Sequence, residues 1–229
     1  MGEHVSFAAN GGTCEGYLAL PESGSGPGVI VVQEWWGLVP HIVDLADRFA
    51  AAGFVALAPD FYHGIATTEP DEAMRLLMGL AMDTVARDLS GAADYLGGRA
   101  DVDGPGVGTV GFCMGGSLAL WSATLAPSIV AAVGFYPGLP WHRMSPDWSG
   151  YAGKFALIHC SEEDGTSAAE GIVAARTAIE AAGGTVEVYD YPGTQHAFFN
   201  DHRPEVHDAQ ASALAWQRTL SFLGRHLGG

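Results

Sequence analysis

Lysine is almost missing from this chain: Lys154 is the only one in 229 residues, and the ten Lys and Arg together face 26 Asp and Glu, for a formal net charge of −16. Nucleic-acid backbones and anionic membrane surfaces are held by clustered Lys and Arg, so neither is expected as a partner. Cysteine is also scarce. Cys14, Cys113 and Cys160 cannot all pair and show no C-x-x-C spacing, which argues against a disulfide framework or a structural zinc site. The opening Met1-Gly-Glu-His lacks the basic segment and apolar run of a secretory signal, so a cytoplasmic location is expected. Charge of either sign is absent between Asp103 and Arg143. A membrane span needs about 20 continuous apolar residues, and this stretch is cut by Gly104-Pro105-Gly106, Gly115-Gly116, Pro127 and Pro137-Gly138. It reads as buried strand, turn, buried helix and buried strand, with no membrane partner.

Hydrophobic residues make up 48% of the chain and charged ones 16%, a balance opposite to that of disorder. No repeat, low-complexity tract or long linker appears, and one domain spanning residues 1–229 is expected, as a monomer or small homo-oligomer. Short runs rich in Val, Ile and Phe alternate with helical patterns. The strands expected are Val5–Ala8, Gly16–Leu20, Val29–Gln33, Val55–Ala58, Val107–Gly111, Ala131–Phe135, Phe155–His159 and Val186–Tyr191. The helices expected are His41–Ala51, Asp71–Met78, Met82–Leu96, Met114–Leu125, Ser167–Ala181 and Pro204–His226. Such alternation predicts an α/β fold: a mostly parallel central sheet of about eight strands with helices on both faces. The first two strands, around Asn10-Gly11-Gly12, read as an antiparallel hairpin at one edge. Ligands in such folds sit beyond the carboxyl ends of the strands.

Gly111-Phe112-Cys113-Met114-Gly115-Gly116 follows an apolar strand and opens an apolar helix. This is the context of a G-x-S-x-G nucleophile elbow with Cys in place of Ser. The helix N-terminus favours a thiolate there. Downstream, Glu162-Glu163-Asp164 follows one strand and His196 the next. Nucleophile, acid and histidine then stand in the chain order of an α/β-hydrolase triad. Trp35, Trp36, Tyr136, Trp141 and Phe198 lie beside these motifs or at strand ends and are candidates to line an apolar substrate pocket.

Five segments carry a resemblance to the dienelactone hydrolase family of the α/β-hydrolase fold, over nearly the whole length. They are Gln33-Glu34-Trp35-Trp36-Gly37, Pro59-Asp60-Phe61-Tyr62, Gly111 to Gly116, His159 to Asp164, and Gly193-Thr-Gln-His196-Ala-Phe198. The resemblance implies a cysteine nucleophile at Cys113, a triad acid at Asp164, a triad base at His196 and an auxiliary glutamate at Glu34. It further implies an oxyanion hole from the backbone N–H groups of Trp35 and Met114, no cofactor, and a small ester or lactone as substrate. The family's best-known members clamp a substrate carboxylate with two arginines. Here Asn200 takes one of those places and Pro70 aligns with the other, so Asn200 and nearby Arg75 are the substrate-contact candidates, with Arg143 and Arg203 able to approach from other loops.

Asp201, His202, His207 and Asp208 contain acid and imidazole but no H-E-x-x-H motif and no i, i+4 histidine pair. They read as a solvated helix start, and no metal is expected. Two alternatives share the fold: a redox-sensing thiol protein and a non-catalytic small-molecule binder. Neither requires Asp164 or His196.

Overall fold

The computed structural model describes residues 2–9, 11–139 and 143–228. Its elements run β1 (Glu3–Ala9), β2 (Gly12–Ala19), β3 (Gly26–Val32), α1 (Pro40–Ala51), β4 (Val55–Pro59), α2 (Pro70–Gly79), α3 (Met82–Gly97) and β5 (Val102–Phe112). They continue with α4 (Met114–Leu125), β6 (Ile129–Phe135), a 3-10 turn (Trp148–Tyr151), β7 (Phe155–Ser161), α5 (Gly165–Ala181), β8 (Thr185–Tyr191) and α6 (Ala209–Leu227). The strands form one sheet in the order β1-β2-β4-β3-β5-β6-β7-β8. β1 and β2 pair antiparallel, β2 runs antiparallel to β4, and the remaining pairs are parallel.

The two-residue period of a strand sorts its side chains onto opposite faces. In β3, Ile30 and Val32 join a core with Leu89 of α3, Leu118 of α4 and Ile179 of α5. Val29 and Val31 point the other way, into a core with Leu45 and Phe49 of α1 and Phe222 of α6. All four valine and isoleucine side chains are fully buried, as expected of a strand covered on both faces. α4 is apolar on nearly every side and packs against β5 and β6, the pattern of a helix with no solvent face.

Two expected boundaries shift furthest. β5 begins at Val102 rather than Val107, because Gly26 and Pro27 pair with Val102 and Asp103 before a register shift. Pro105 is tolerated within this irregular outer part of the strand. The last helix begins at Ala209, not Pro204. Asp208 accepts a hydrogen bond from Ala211 N at 2.8 Å and so caps it. Residues 201–207 are turns, held by bonds from Arg203, Val206 and His207 N–H groups to Asn200 and Arg203 carbonyls. They are not a helix start.

Candidate active site

The strand ends bring the chemistry together. β5 stops at Phe112, and Cys113 adopts φ 56° and ψ −118° before α4 begins. A non-glycine residue in this region carries strain of order 1–3 kcal/mol. It is held by Cys113 N–H bonding Phe135 O at 3.0 Å and by glycines on either side. A Cβ on Gly111 would overlap the Gly115 carbonyl, and one on Gly115 would overlap the carbonyls of Val32 and Gln33. Phe112, Phe135 and Phe199 form a stack beneath the turn, with ring centroids 4.7–5.5 Å apart. Cys113 therefore projects from a rigid base at the N-terminus of α4, and it remains partly exposed.

β7 delivers Asp164, the candidate acid. Asp164 sits at the N-cap of α5, where Ser161 Oγ donates to its Oδ2 at 2.5 Å. β8 delivers His196, whose Nδ1 lies 2.6 Å from Asp164 Oδ1. With Nδ1–H directed at the carboxylate, Nε2 is left for the thiol side. Burial opposes the charged imidazole. The hydrogen bonds and negative charges of Asp164 and Cys113 outweigh it and push the His196 pKa up to about 10.

The neighbours of Asp164 serve the same loop, a role the sequence did not reveal. Glu162 Oε2 accepts from Gly193 N at 2.6 Å, and Glu163 Oε2 accepts from His196 N at 2.7 Å. Glu163 N in turn donates to Thr194 O at 3.2 Å. Three consecutive acidic residues thus grip residues 193–196 as one unit. The acidic cluster was visible as a cluster, but its division of labour depends on a loop thirty residues away.

Glu34 lies just beyond β3 and is 2% exposed. Burial pushes its carboxyl up from 4.5 to about 7, although His196, Arg203 and Asn200 all favour the charged form. Asn200 Nδ2 donates to Glu34 Oε2 at 3.1 Å, and Asn200 Oδ1 accepts from His202 N at 3.0 Å. Asn200 is 3% exposed. Its amide nitrogen is engaged on Glu34 and its oxygen on His202 N, and the residue also borders the cavity beside Trp36.

Arg75 is also engaged elsewhere. It stands on α2 with a 74% exposed side chain, paired with Glu72. Arg143 donates to the carbonyls of Leu77 and Leu80 at the end of α2. Of the arginines considered, Arg203 is the one whose charge bears on Glu34 and Tyr136. Phe198 is fully buried in the α1/α6 core, so it supports the site and does not line a pocket. Tyr136 packs edge-on to His196 at 5.0 Å. Its hydroxyl is buried without a partner. Burial and the charges of Glu34, Cys113 and Asp164 push its pKa well up, so it stays a neutral donor. Trp35 and Trp36 meet at 4.8 Å beside Glu34. Trp36 lines a cavity of about 520 Å³ with Thr67, Asn200 and Arg203. Trp141 falls outside the described residues.

The other two thiols are chemically quiet. Burial pushes Cys14 and Cys160 up to about 12 each, helped by nearby carboxylates such as Asp88 and Asp190. His159 is fully buried with its nitrogens on Tyr191 Oη at 2.8 Å and Thr219 Oγ1 at 3.0 Å. His41, in the first turn of α1, is also buried, and burial pushes it down to about 4. Among the described residues no helix is long and apolar enough to cross a membrane.

Residues 14–227 match the dienelactone hydrolase family. A protein of Aquifex pyrophilus, Protein usf, is 36% identical over 99% of this chain and 100% of its own length. A "Putative carboxymethylenebutenolidase" of Aquifex aeolicus is 33% identical over the same shares. Among solved structures, the "Putative Dienelactone Hydrolase" of Klebsiella pneumoniae superposes with a TM-score of 0.85 at 27% identity, covering 99% of both chains. Fold, strand-end geometry and sequence therefore converge, and the chain belongs to the dienelactone hydrolase family, as a hydrolase on the α/β-hydrolase fold.

Proposed function

We propose that the protein hydrolyses carboxylic esters or lactones in the cytoplasm through Cys113, His196 and Asp164, by way of a thioester. The observation that carries this reading is the 2.6 Å His196–Asp164 bond, set beside a strained cysteine at a helix N-terminus. His196 Nε2 takes the thiol proton as the Cys113 sulfur attacks the carbonyl carbon, and the oxygen takes up the displaced electron pair. The Met114 N–H is the first of α4 and so has no carbonyl one turn behind it. With the Trp35 N–H it would hold the oxyanion, each such donor being worth about 3 kcal/mol in comparable sites. The carbon–oxygen bond then breaks, and His196 Nε2 protonates the departing alkoxide. In a lactone that alkoxide stays tethered to the acyl group. His196 next takes a proton from water, hydroxide attacks the thioester, and the acid leaves as Cys113 is regenerated. Asp164 keeps the imidazole in its working tautomer throughout.

Glu34 is the auxiliary carboxylate in this reading, and its pKa near 7 leaves it partly charged at neutral pH. The redox-sensor alternative gives Asp164 and His196 no task and leaves their short bond without a purpose.

Mass spectrometry of protein quenched during turnover of p-nitrophenyl acetate tests the assignment. A transient acetyl group on Cys113, absent from Cys113→Ala, is expected. Turnover by Cys113→Ala at the wild-type rate would overturn it.

A further inference from the structure

The imidazoles and carboxylates after Asn200 have no metal-binding spacing among themselves, but folding brings them a partner from α1. The His41 side chain is 2% exposed, and neither of its ring nitrogens has a hydrogen-bond partner. Buried polar atoms are normally paired, so two unpaired nitrogens on one ring call for a ligand. His159, equally buried, has both nitrogens bonded.

What His41 faces is chemically specific. Its Nδ1 lies 3.6 Å from Asp201 Oδ1, and its ring centroid is 5.1 Å from that of His202. One ligand atom each from His41, Asp201 and His202 lies within 4.8 Å of the others. Nitrogen and oxygen ligands around a tetrahedral zinc ion stand roughly 3.4 Å apart. Asp201 and His202 are exposed, so small side-chain rotations close the difference. His41 and His202 also line the cavity of about 520 Å³, which gives an ion a path in.

The geometry points to a divalent transition-metal site, of zinc type, held by His41, Asp201 and His202 with solvent completing the tetrahedron. Imidazole and carboxylate together suit zinc and its neighbours rather than calcium or magnesium. Arg48 Nη1 holds Asp201 Oδ2 at 3.1 Å and so leaves Oδ1 turned toward His41, the orienting contact that metal-ligating carboxylates commonly have. The same arginine and the positive end of α1 repel a cation, which makes the charge of Asp201 indispensable. A bound ion would tie α1 to the turn that follows Asn200. His202 N already bonds Asn200 Oδ1, and Asn200 Nδ2 holds Glu34, so the ion would sit one residue from the amide that positions this glutamate.

The test is titration of metal-free protein with Zn²⁺ by calorimetry and with Co²⁺ by visible absorption. One equivalent should bind with micromolar affinity, and Co²⁺ should show the intense bands of a tetrahedral site. Both exposed variants, His202→Ala and Asp201→Asn, should bind at least about tenfold more weakly and lose those bands. Cys113→Ala, which removes the competing thiol of the triad, should bind as tightly as the wild type. Binding only at millimolar metal, binding indifferent to His202 and Asp201, or binding lost in Cys113→Ala would each overturn the assignment.

Discussion

Glu34→Gln should make the protein more stable at alkaline pH while impairing its hydrolysis. Burial raises the Glu34 carboxyl from 4.5 to about 7, so the folded state holds this proton more tightly than the unfolded chain does. The stabilisation from the protonated form is fully present below 4.5 and is lost as pH rises through 7. A difference of that size corresponds to on the order of 3 kcal/mol. Glutamine has nearly the same shape, its carbonyl can accept the Asn200 Nδ2 bond, and it has no charge to bury. Urea unfolding at 25 °C, followed from pH 4 to pH 8, reads the effect. Subtracting the wild type cancels the other titrating groups. The two proteins should match near pH 4, and the variant should lead by roughly 3 kcal/mol at pH 8. A constant difference across this range, or a variant that is weaker at pH 8, would refute the argument that Glu34 is held charged against its burial.

Cys113→Ala should abolish ester hydrolysis with the fold intact, and Cys113→Ser should retain weak activity at most; circular dichroism alongside a p-nitrophenyl ester assay checks both. His196→Ala and Asp164→Ala should each lower kcat/KM at least about a hundredfold. In Asp164→Asn the His196 pKa should fall below its value of about 10, as read by imidazole NMR, because a bond and a charge that raise it are gone. Glu163→Gln should lower kcat by less than about tenfold with little change in KM, since it loosens the His196 backbone without touching substrate. Short neutral esters should surpass carboxylate-bearing analogues in kcat/KM, because Asn200 is engaged on Glu34 and Arg75 faces solvent. A preference for the anionic substrate that disappears in Arg203→Gln would instead make Arg203 its clamp.

Local chemistry made much of this legible in the sequence. The strands announced themselves through β-branched runs, and the elbow through glycines that only a close backbone crossing requires. Cys113, Asp164 and His196 could be placed because each follows a strand in a parallel sheet, and parallel strand ends share one side. What stayed hidden depended on contacts between distant segments. Phe198 and Asn200 looked alike as loop residues near His196, yet one fills the core and the other holds Glu34. Pro204 to Asp208 looked like the first turn of a helix, but Asp208 is the cap and the residues before it are turns. Spacing along the chain could not pair His41 with Asp201 and His202, since α1 and the turn after Asn200 meet only in three dimensions.

The three thiols have a practical consequence. Alkylation proceeds through the thiolate, and burial pushes Cys14 and Cys160 up to about 12, so both stay almost wholly protonated near neutral pH. Cys14 is moreover closed to reagents by the core around it. Iodoacetamide or a maleimide applied briefly near neutral pH should therefore mark Cys113 alone, without any cysteine having to be removed. One equivalent of label then counts accessible Cys113 thiols in a preparation. A fluorophore carried on the same bond would report on the surroundings of Cys113 in the unmutated protein.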